Sequence, residues 1–277
     1  MKVYVESPCV VSECPRWCAE ERTLYWVDVT DGKYLRHRDG APATEYESVA
    51  PGLGKIGALI VRPNGRLWLF TAGCRVWECT FGGTPRMLYA LDGYADRRFN
   101  DVYQVGDWFF CGVAQQDGCP GELWRMSMDG RFSCVEPKTA GMPNGMGLSP
   151  DGTTFYFTVS DERRIYAYDI DIGAGALSGR RVFVDDFAQP GIPDGLCVDP
   201  EDGSLYIALW NGSRLEHRSC RGKLLDCCVF PMPKVTSVAV VGERLFVTTG
   251  NLDPCPEKHY KRTRAGSVFE ITKQGKA

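Results

Sequence analysis

Six aromatic-rich tetrapeptides recur along this 277-residue chain at intervals of 40 to 50 residues: Leu24-Tyr25-Trp26-Val27, Leu67-Trp68-Leu69-Phe70, Trp108-Phe109-Phe110-Cys111, Phe155-Tyr156-Phe157-Thr158, Leu205-Tyr206-Ile207-Ala208 and Leu245-Phe246-Val247-Thr248. Self-similarity at such a period marks a supersecondary unit repeated in space, so it constrains the fold more than any composition can. Turn signals precede several copies, among them Pro63-Asn64-Gly65, Pro150-Asp151-Gly152 and Glu201-Asp202-Gly203. Asn, Asp and Gly accept the positive φ that tight hairpin turns require, so each copy reads as the second strand of a hairpin. A third strand follows, as in Ile165-Tyr166-Ala167-Tyr168, and no helical periodicity separates the copies. The pattern predicts an all-β chain: a six-bladed β-propeller with four-stranded blades, forming a single domain over residues 1–277. The last copy lacks a fourth strand, whereas Val3-Tyr4-Val5 precedes the first copy without a hairpin of its own. The N-terminal strand is therefore expected to close the last blade and remove an open edge. A β-sandwich would share the strand spacing but leave the repeated module unexplained.

A propeller sets equivalent positions of its blades in a ring around the central channel. Eleven residues before the aromatic strand the first, second, fourth and fifth copies have Glu13, Ile56, Asn144 and Asp194, and the two shorter hairpins place Asn100 and Thr236 at the matching positions. The strands then continue into small and apolar residues, as in Gly195-Leu196-Cys197-Val198, so the polar groups gather at the strand mouths. Two carboxylates facing one channel repel and raise each other's proton affinity unless positive charge lies between them. A hard divalent cation with oxygen ligands supplies that charge. Read singly, Asn144-Gly145 and Asp194-Gly195 are merely turns; their equal offset across blades favours the ring.

Charge and composition exclude other classes. A net charge of −3, from 32 basic and 35 acidic side chains, gives no electrostatic footprint for nucleic acid or an anionic membrane. No apolar run approaches a membrane span, and Met1-Lys2-Val3-Tyr4-Val5-Glu6 lacks the apolar stretch of a signal peptide, so a soluble, cytoplasmic protein is expected. The 13 cysteines are odd in number in a long chain and are expected to be mostly buried thiols, not a disulfide framework or a zinc site. No Gly-x-Ser-x-Gly elbow occurs, and His37, His217 and His259 lie away from the axis, which argues against a serine triad. No glycine-rich phosphate loop opens a helix.

The segments Ser12-Glu13-Cys14-Pro15-Arg16-Trp17, Arg98-Phe99-Asn100-Asp101, Met142-Pro143-Asn144-Gly145, Ile192-Pro193-Asp194-Gly195-Leu196, Ala208-Leu209-Trp210-Asn211-Gly212 and Val235-Thr236-Ser237-Val238 occur in this order. In them the chain resembles the senescence-marker-protein/gluconolactonase (regucalcin-like) family of six-bladed propellers, over nearly its whole length. The resemblance implies one divalent metal ion (calcium, zinc, manganese, magnesium or iron) held by Glu13, Asn144 and Asp194, with Asn100 as a fourth ligand or a substrate contact. It also implies hydrolysis of aldonic acid lactones, some relatives acting on phosphofluoridates. Where the family often has Gly-Glu-Gly-Pro, this chain has Ser12-Glu13-Cys14-Pro15, which sets a thiol beside a ligand.

Strand parity puts the connections between second and third strands on the ring face. Most are short, but residues 114–121 and 250–265 make longer ones. The first carries Gln115, Gln116 and Asp117, and the resemblance places a substrate-contacting acid at about Gln116. Arg98 enters the same face, and a guanidinium with amides suits a polyhydroxylated ligand. Arg98, Asn100, Asp101 and Gln116 are the expected substrate contacts, and Asp194 the expected general base. The second loop, with Lys258, His259, Lys261, Arg262 and Arg264, reads as a solvated loop in preference to an anion clamp. The function expected is opening of a small sugar lactone to its acid. Organophosphate or aryl-ester hydrolysis at the same metal, or a non-catalytic binding propeller, are the alternatives.

Overall fold

A computed structural model describes residues 1–273 and forms six antiparallel four-stranded sheets in sequence order around an axis. The last four residues of the expected domain lie outside the described residues. The innermost strands are Ser12–Cys18, Ile56–Arg62, Phe99–Val105, Pro143–Leu148, Ile192–Val198 and Val235–Val241. In five blades the strands run outward in chain order, and in the sixth the outermost is the N-terminal Lys2–Val5, paired with Val268–Thr272. The expected closure is thus present.

The aromatic tetrapeptides are second strands, and their composition follows from where they lie. Thr23–Asp28 is buried at every residue, because each sheet packs a neighbour on either face and no side of its interior strands meets water. The core consequently sits between blades. Trp68 of the second blade stacks on Phe109 of the third with centroids 5.0 Å apart, and Phe110 of the third meets Phe155 of the fourth at 4.5 Å. At the closure Trp17 stacks on Phe246 at 5.6 Å. The turns behave as their residues require: Asn64 has φ 62° and Gly152 φ 72°.

Two expectations need correction. The connection after the sixth blade's second strand is not simply a solvated loop, for Pro256–Thr263 is an α-helix within it, with His259 and Thr263 buried beneath. Pro256 at its first turn and Arg264 in the left-handed conformation at its end bound a segment too short to show periodicity in the sequence. Nor are the cysteines mostly buried: five are, three are half-buried and five are exposed, all as free thiols. Cys119, Cys220 and Cys255 lie in loops, and Cys134 and Cys227 on outermost strands that face water on one side. Among the described residues no helix is long and apolar enough to cross a membrane.

Candidate active site

The inner strands do not run straight into the channel mouth. In the third, fourth and fifth blades two residues oppose one on the neighbouring strand: Asn100-Asp101 against Gly112, Asn144-Gly145 against Thr158, and Asp194-Gly195 against Ala208. A bulge bends its strand and re-aims a side chain; in the fourth and fifth blades the first bulged residue is polar and the second is glycine, whereas in the third both are polar. Glycine in the second place lets the strands converge. A Cβ on Gly145 would lie 2.3 Å from the Leu196 amide nitrogen, and one on Gly195 2.3 Å from Ser237 Oγ. In the first blade the bulge holds Cys14-Pro15, one place later, and Glu13 precedes it. Cys14 takes φ 52°, which turns its N–H back to donate to Glu13 Oε2 at 2.9 Å. Its thiol meets Leu59 N and O, both at 3.4 Å, and so ties the first blade to the second.

These devices bring Glu13, Asn100, Asn144 and Asp194 to the floor of one pocket of about 310 Å³, with Arg98 on its wall. Glu13, Asn144 and Asp194 are 7%, 7% and 6% exposed. Asn144 Nδ2 donates to Ser160 Oγ at 3.1 Å, and Ser160 donates to the Pro193 carbonyl at 2.7 Å, so the second-strand end of the fourth blade braces both ring positions. Asn100 Nδ2 donates to the Pro143 carbonyl at 2.9 Å, while its Oδ1 accepts from Arg98 Nη1 at 2.7 Å. That bond would compete with any metal ion for the Asn100 oxygen. The remaining ring positions offer none: Ile56 is apolar, and Thr236 donates its hydroxyl to the Ser12 carbonyl at 2.6 Å.

Burial holds the Glu13 and Asp194 carboxyls well above the ordinary range. Repulsion from Asp194 and Asp101 adds to it at Glu13, and repulsion from Asp101 at Asp194, where a hydrogen bond from Asn144 and the charge of Arg98 act in the opposite sense. Asp101 itself is pushed up to about 6 by burial, against the pull of Arg16 and Arg98. None of the three carboxylates forms an ion pair among the described residues, which leaves a concentration of negative charge without a contacting cation. Hard oxygen donors in that state fit a divalent cation. Among the described residues no three His, Cys, Asp or Glu side chains gather at metal-binding separation, so such an ion would depend on asparagine oxygens as well.

Two of the expected substrate contacts, Asp101 and Gln116, do not line this pocket. Asp101, the second residue of its bulge, points past the ring into a cavity of about 10 Å³ shared with Cys14, Arg16, Tyr103 and Ser237. Arg16 helps close the channel there, its Nη2 donating to the Val102 carbonyl at 2.9 Å. Gln116, whose backbone closes a tight turn with Cys119 through bonds of 3.1 and 2.8 Å, does not line the pocket, and Gln115 lines it in its stead. Sequence reasoning also passed over Lys55, Ser160, Asp161 and Trp210 as site residues, all of which line it. Ser160 and Asp161 belong to one of the short connections that strand parity puts on the ring face, but no spacing rule separates a wall residue from its neighbour in a loop.

Comparison with known proteins follows the same lines. The family described as "SMP-30/Gluconolactonase/LRE-like region" matches residues 11–251. The pentonolactonase XacC of Haloferax volcanii is 34% identical over 253 residues, covering 90% of this chain and 84% of that protein. Regucalcin of Danio rerio is 29% identical, with 96% and 91% covered, and the L-arabinolactonase of Azospirillum brasilense 28%, with 94% and 87% covered. Among solved structures, the calcium-binding protein regucalcin of Agrobacterium tumefaciens superposes with a TM-score of 0.87 at 20% identity, covering 98% of this chain and 92% of that one, a likeness of fold.

Proposed function

Because this chain belongs to the SMP-30/gluconolactonase/LRE-like family, we propose that it is a divalent-metal-dependent lactonase that opens a five- or six-membered sugar lactone to its aldonic acid. The observation that carries the proposal is the pairing of two buried, mutually repelling carboxylates with asparagine oxygens at the floor of a pocket with Arg98 on its wall. Lactonases among its relatives act on pentonic and arabinonic lactones by name, and the pocket lies at the small end of the volumes that hold small molecules, about 300–1,000 Å³.

Glu13, Asn144 and Asp194 would hold the ion, with Asn100 beside them. A bound divalent cation supplies Lewis acidity toward a carbonyl and lowers the pKa of water. Arg98 uses one nitrogen to fix Asn100 and keeps the rest of its guanidinium for the ester oxygens or hydroxyls of the ligand, in a fork that cannot lose its charge. Asp194 is the proton acceptor: its carboxylate Oδ would take the proton from the attacking water and pass it to the alkoxide released when the acyl–oxygen bond breaks. Burial raises its proton affinity toward the range in which a base is effective, while a neighbouring cation would keep it ionised. Arg16 and its neighbours leave a cavity of only about 10 Å³ along the channel, too narrow for a lactone.

The test is a panel of sugar lactones, a simple aryl ester and a phosphofluoridate, read by acid release after chelation and after return of calcium, zinc, manganese, magnesium or iron. Acid release from sugar lactones that disappears with chelation and returns with one or more metals is expected. Turnover that survives exhaustive chelation would overturn the metal, and turnover of the phosphofluoridate alone would overturn the lactone.

A further inference from the structure

We propose that Asp161 and Gln115 form a hydroxyl-reading wall of the pocket, so that the preferred ligand presents a neutral, vicinally hydroxylated edge to the third and fourth blades. The inference deepens the lactonase reading and rests on it for the identity of the ester end. Asp161 Oδ2 accepts two bonds at once, from the Met142 amide at 2.7 Å and from Gln115 Nε2 at 3.1 Å. Three pocket-lining residues from two blades are thereby locked together. The lock has a chemical consequence. Gln115 has given a donor to Asp161 Oδ2, and neither Gln115 Oε1 nor Asp161 Oδ1 has a hydrogen-bond partner among the described residues. Two acceptors are thus left without partners on residues that line the pocket.

Acceptors call for donors, and the donors on a sugar lactone are its hydroxyl hydrogens. Lys55 and Arg98, on the second and third blades, supply the opposite polarity to the same pocket. The pocket therefore carries a donor side suited to the ester oxygens and an acceptor side suited to hydroxyls. A carboxylate or phosphate on the substrate's far end would face the Asp161 charge and be disfavoured. Gly141 makes room for the lock, since a Cβ there would lie 2.5 Å from the Asp161 side chain.

The experiment titrates xylitol, a neutral polyol that is not a lactone, against wild type, Asp161→Asn, Asp161→Ala and Glu162→Gln by protein-observed NMR, with and without calcium. Asparagine at 161 can keep one oxygen on the Met142 amide while replacing the free acceptor by a donor, so it alters recognition and spares the lock. Glu162→Gln perturbs the adjacent side chain, which accepts from the Ala140 amide at 3.2 Å, and controls for loop damage. Xylitol affinity should fall about fivefold or more in both Asp161 variants and hold in Glu162→Gln. In parallel, the preference for D-xylono-1,4-lactone over unsubstituted γ-butyrolactone should fall in Asp161→Asn through KM, with kcat changing less. Equal xylitol affinity in wild type and Asp161→Asn, an equal loss in Glu162→Gln, or no xylitol binding by wild type overturns the proposal. Xylitol binding that depends on Asp161 without hydrolysis of either lactone would leave this wall standing and remove the lactonase reading.

Discussion

At the scale of single residues, Asp194 and Asn144 occupy matching places in adjacent blades but differ in what they can give an ion and a proton. Asp194→Asn retains an oxygen for coordination and loses charge and basicity, so turnover should fall about 100-fold or more even when excess metal restores occupancy. Asn144→Ala should lose occupancy first and regain part of its rate at high metal. Calorimetric metal binding beside lactone hydrolysis on the same preparations separates the two, and near-normal turnover of metal-saturated Asp194→Asn would make that residue a ligand only. The same carboxyls set a pH dependence. Glu13, Asp194 and Asp101 all bind protons more tightly folded than unfolded, Asp101 up to about 6. The metal-free protein should therefore lose stability as pH rises from about 4 through 6 and beyond, because the unfolded chain holds fewer protons across that window. Calcium should flatten or reverse the slope, since it requires the ionised forms. Melting temperatures from pH 5 to 8 with and without calcium test this, and identical slopes would remove the ion from these carboxyls.

At the scale of the element, the bulges and not the strands make the site. Gly145→Ala would drive a methyl into the backbone of the fifth blade's inner strand, which carries Asp194. The expected cost is about 1–3 kcal/mol together with weakened metal binding, measured by denaturant unfolding and calorimetry. Wild-type stability in that variant would mean the blades can separate without disturbing the ring. Cys14 is the complementary case. Its left-handed φ costs roughly 1–2 kcal/mol in a residue with a Cβ, and its thiol repays part through Leu59. Cys14→Gly should leave stability within about 1 kcal/mol of wild type and keep metal binding, because the N–H that fixes Glu13 belongs to the backbone. Loss of metal binding in Cys14→Gly would show that the thiol itself belongs to the ligand set.

At the scale of the molecule, one strand and one acidic side chain close the ring of blades. Lys2–Val5 buries Tyr4 and Val5 against the sixth blade, and Asp39 of the first blade accepts from Tyr4 at 2.9 Å and from Arg244 of the sixth at 2.9 and 3.1 Å. Removing residues 1–8 should cost about 3–6 kcal/mol from the two buried side chains alone, a large share of a typical domain's stability. Thermal unfolding equal to that of the full chain would sink the closure argument. Arg244 holds the Asp39 carboxyl far below its usual range, so this contribution is complete above about pH 4 and lost as the pH falls below it. Asp39→Asn should accordingly destabilise by about 1–2 kcal/mol at pH 7, after allowance for solvent screening, and by progressively less as the pH falls below about 4.

The blade count, the closing strand and the polar ring could be read in the chain because each leaves a local record: a repeated aromatic strand, an unpaired strand at one end, a polar residue at a fixed offset. Composition is legible where burial is two-sided, and spacing where hairpins have nearly equal length. The helix at Pro256–Thr263, the tight turn at Gln116, the descent of Asp101 into the channel and the lock between Gln115 and Asp161 left no such record. The helix is too short to show a period, and the others depend on which of two adjacent side chains a bulge or turn aims inward. A one-residue shift reverses that direction without altering the residues themselves, so only packing between blades could decide it.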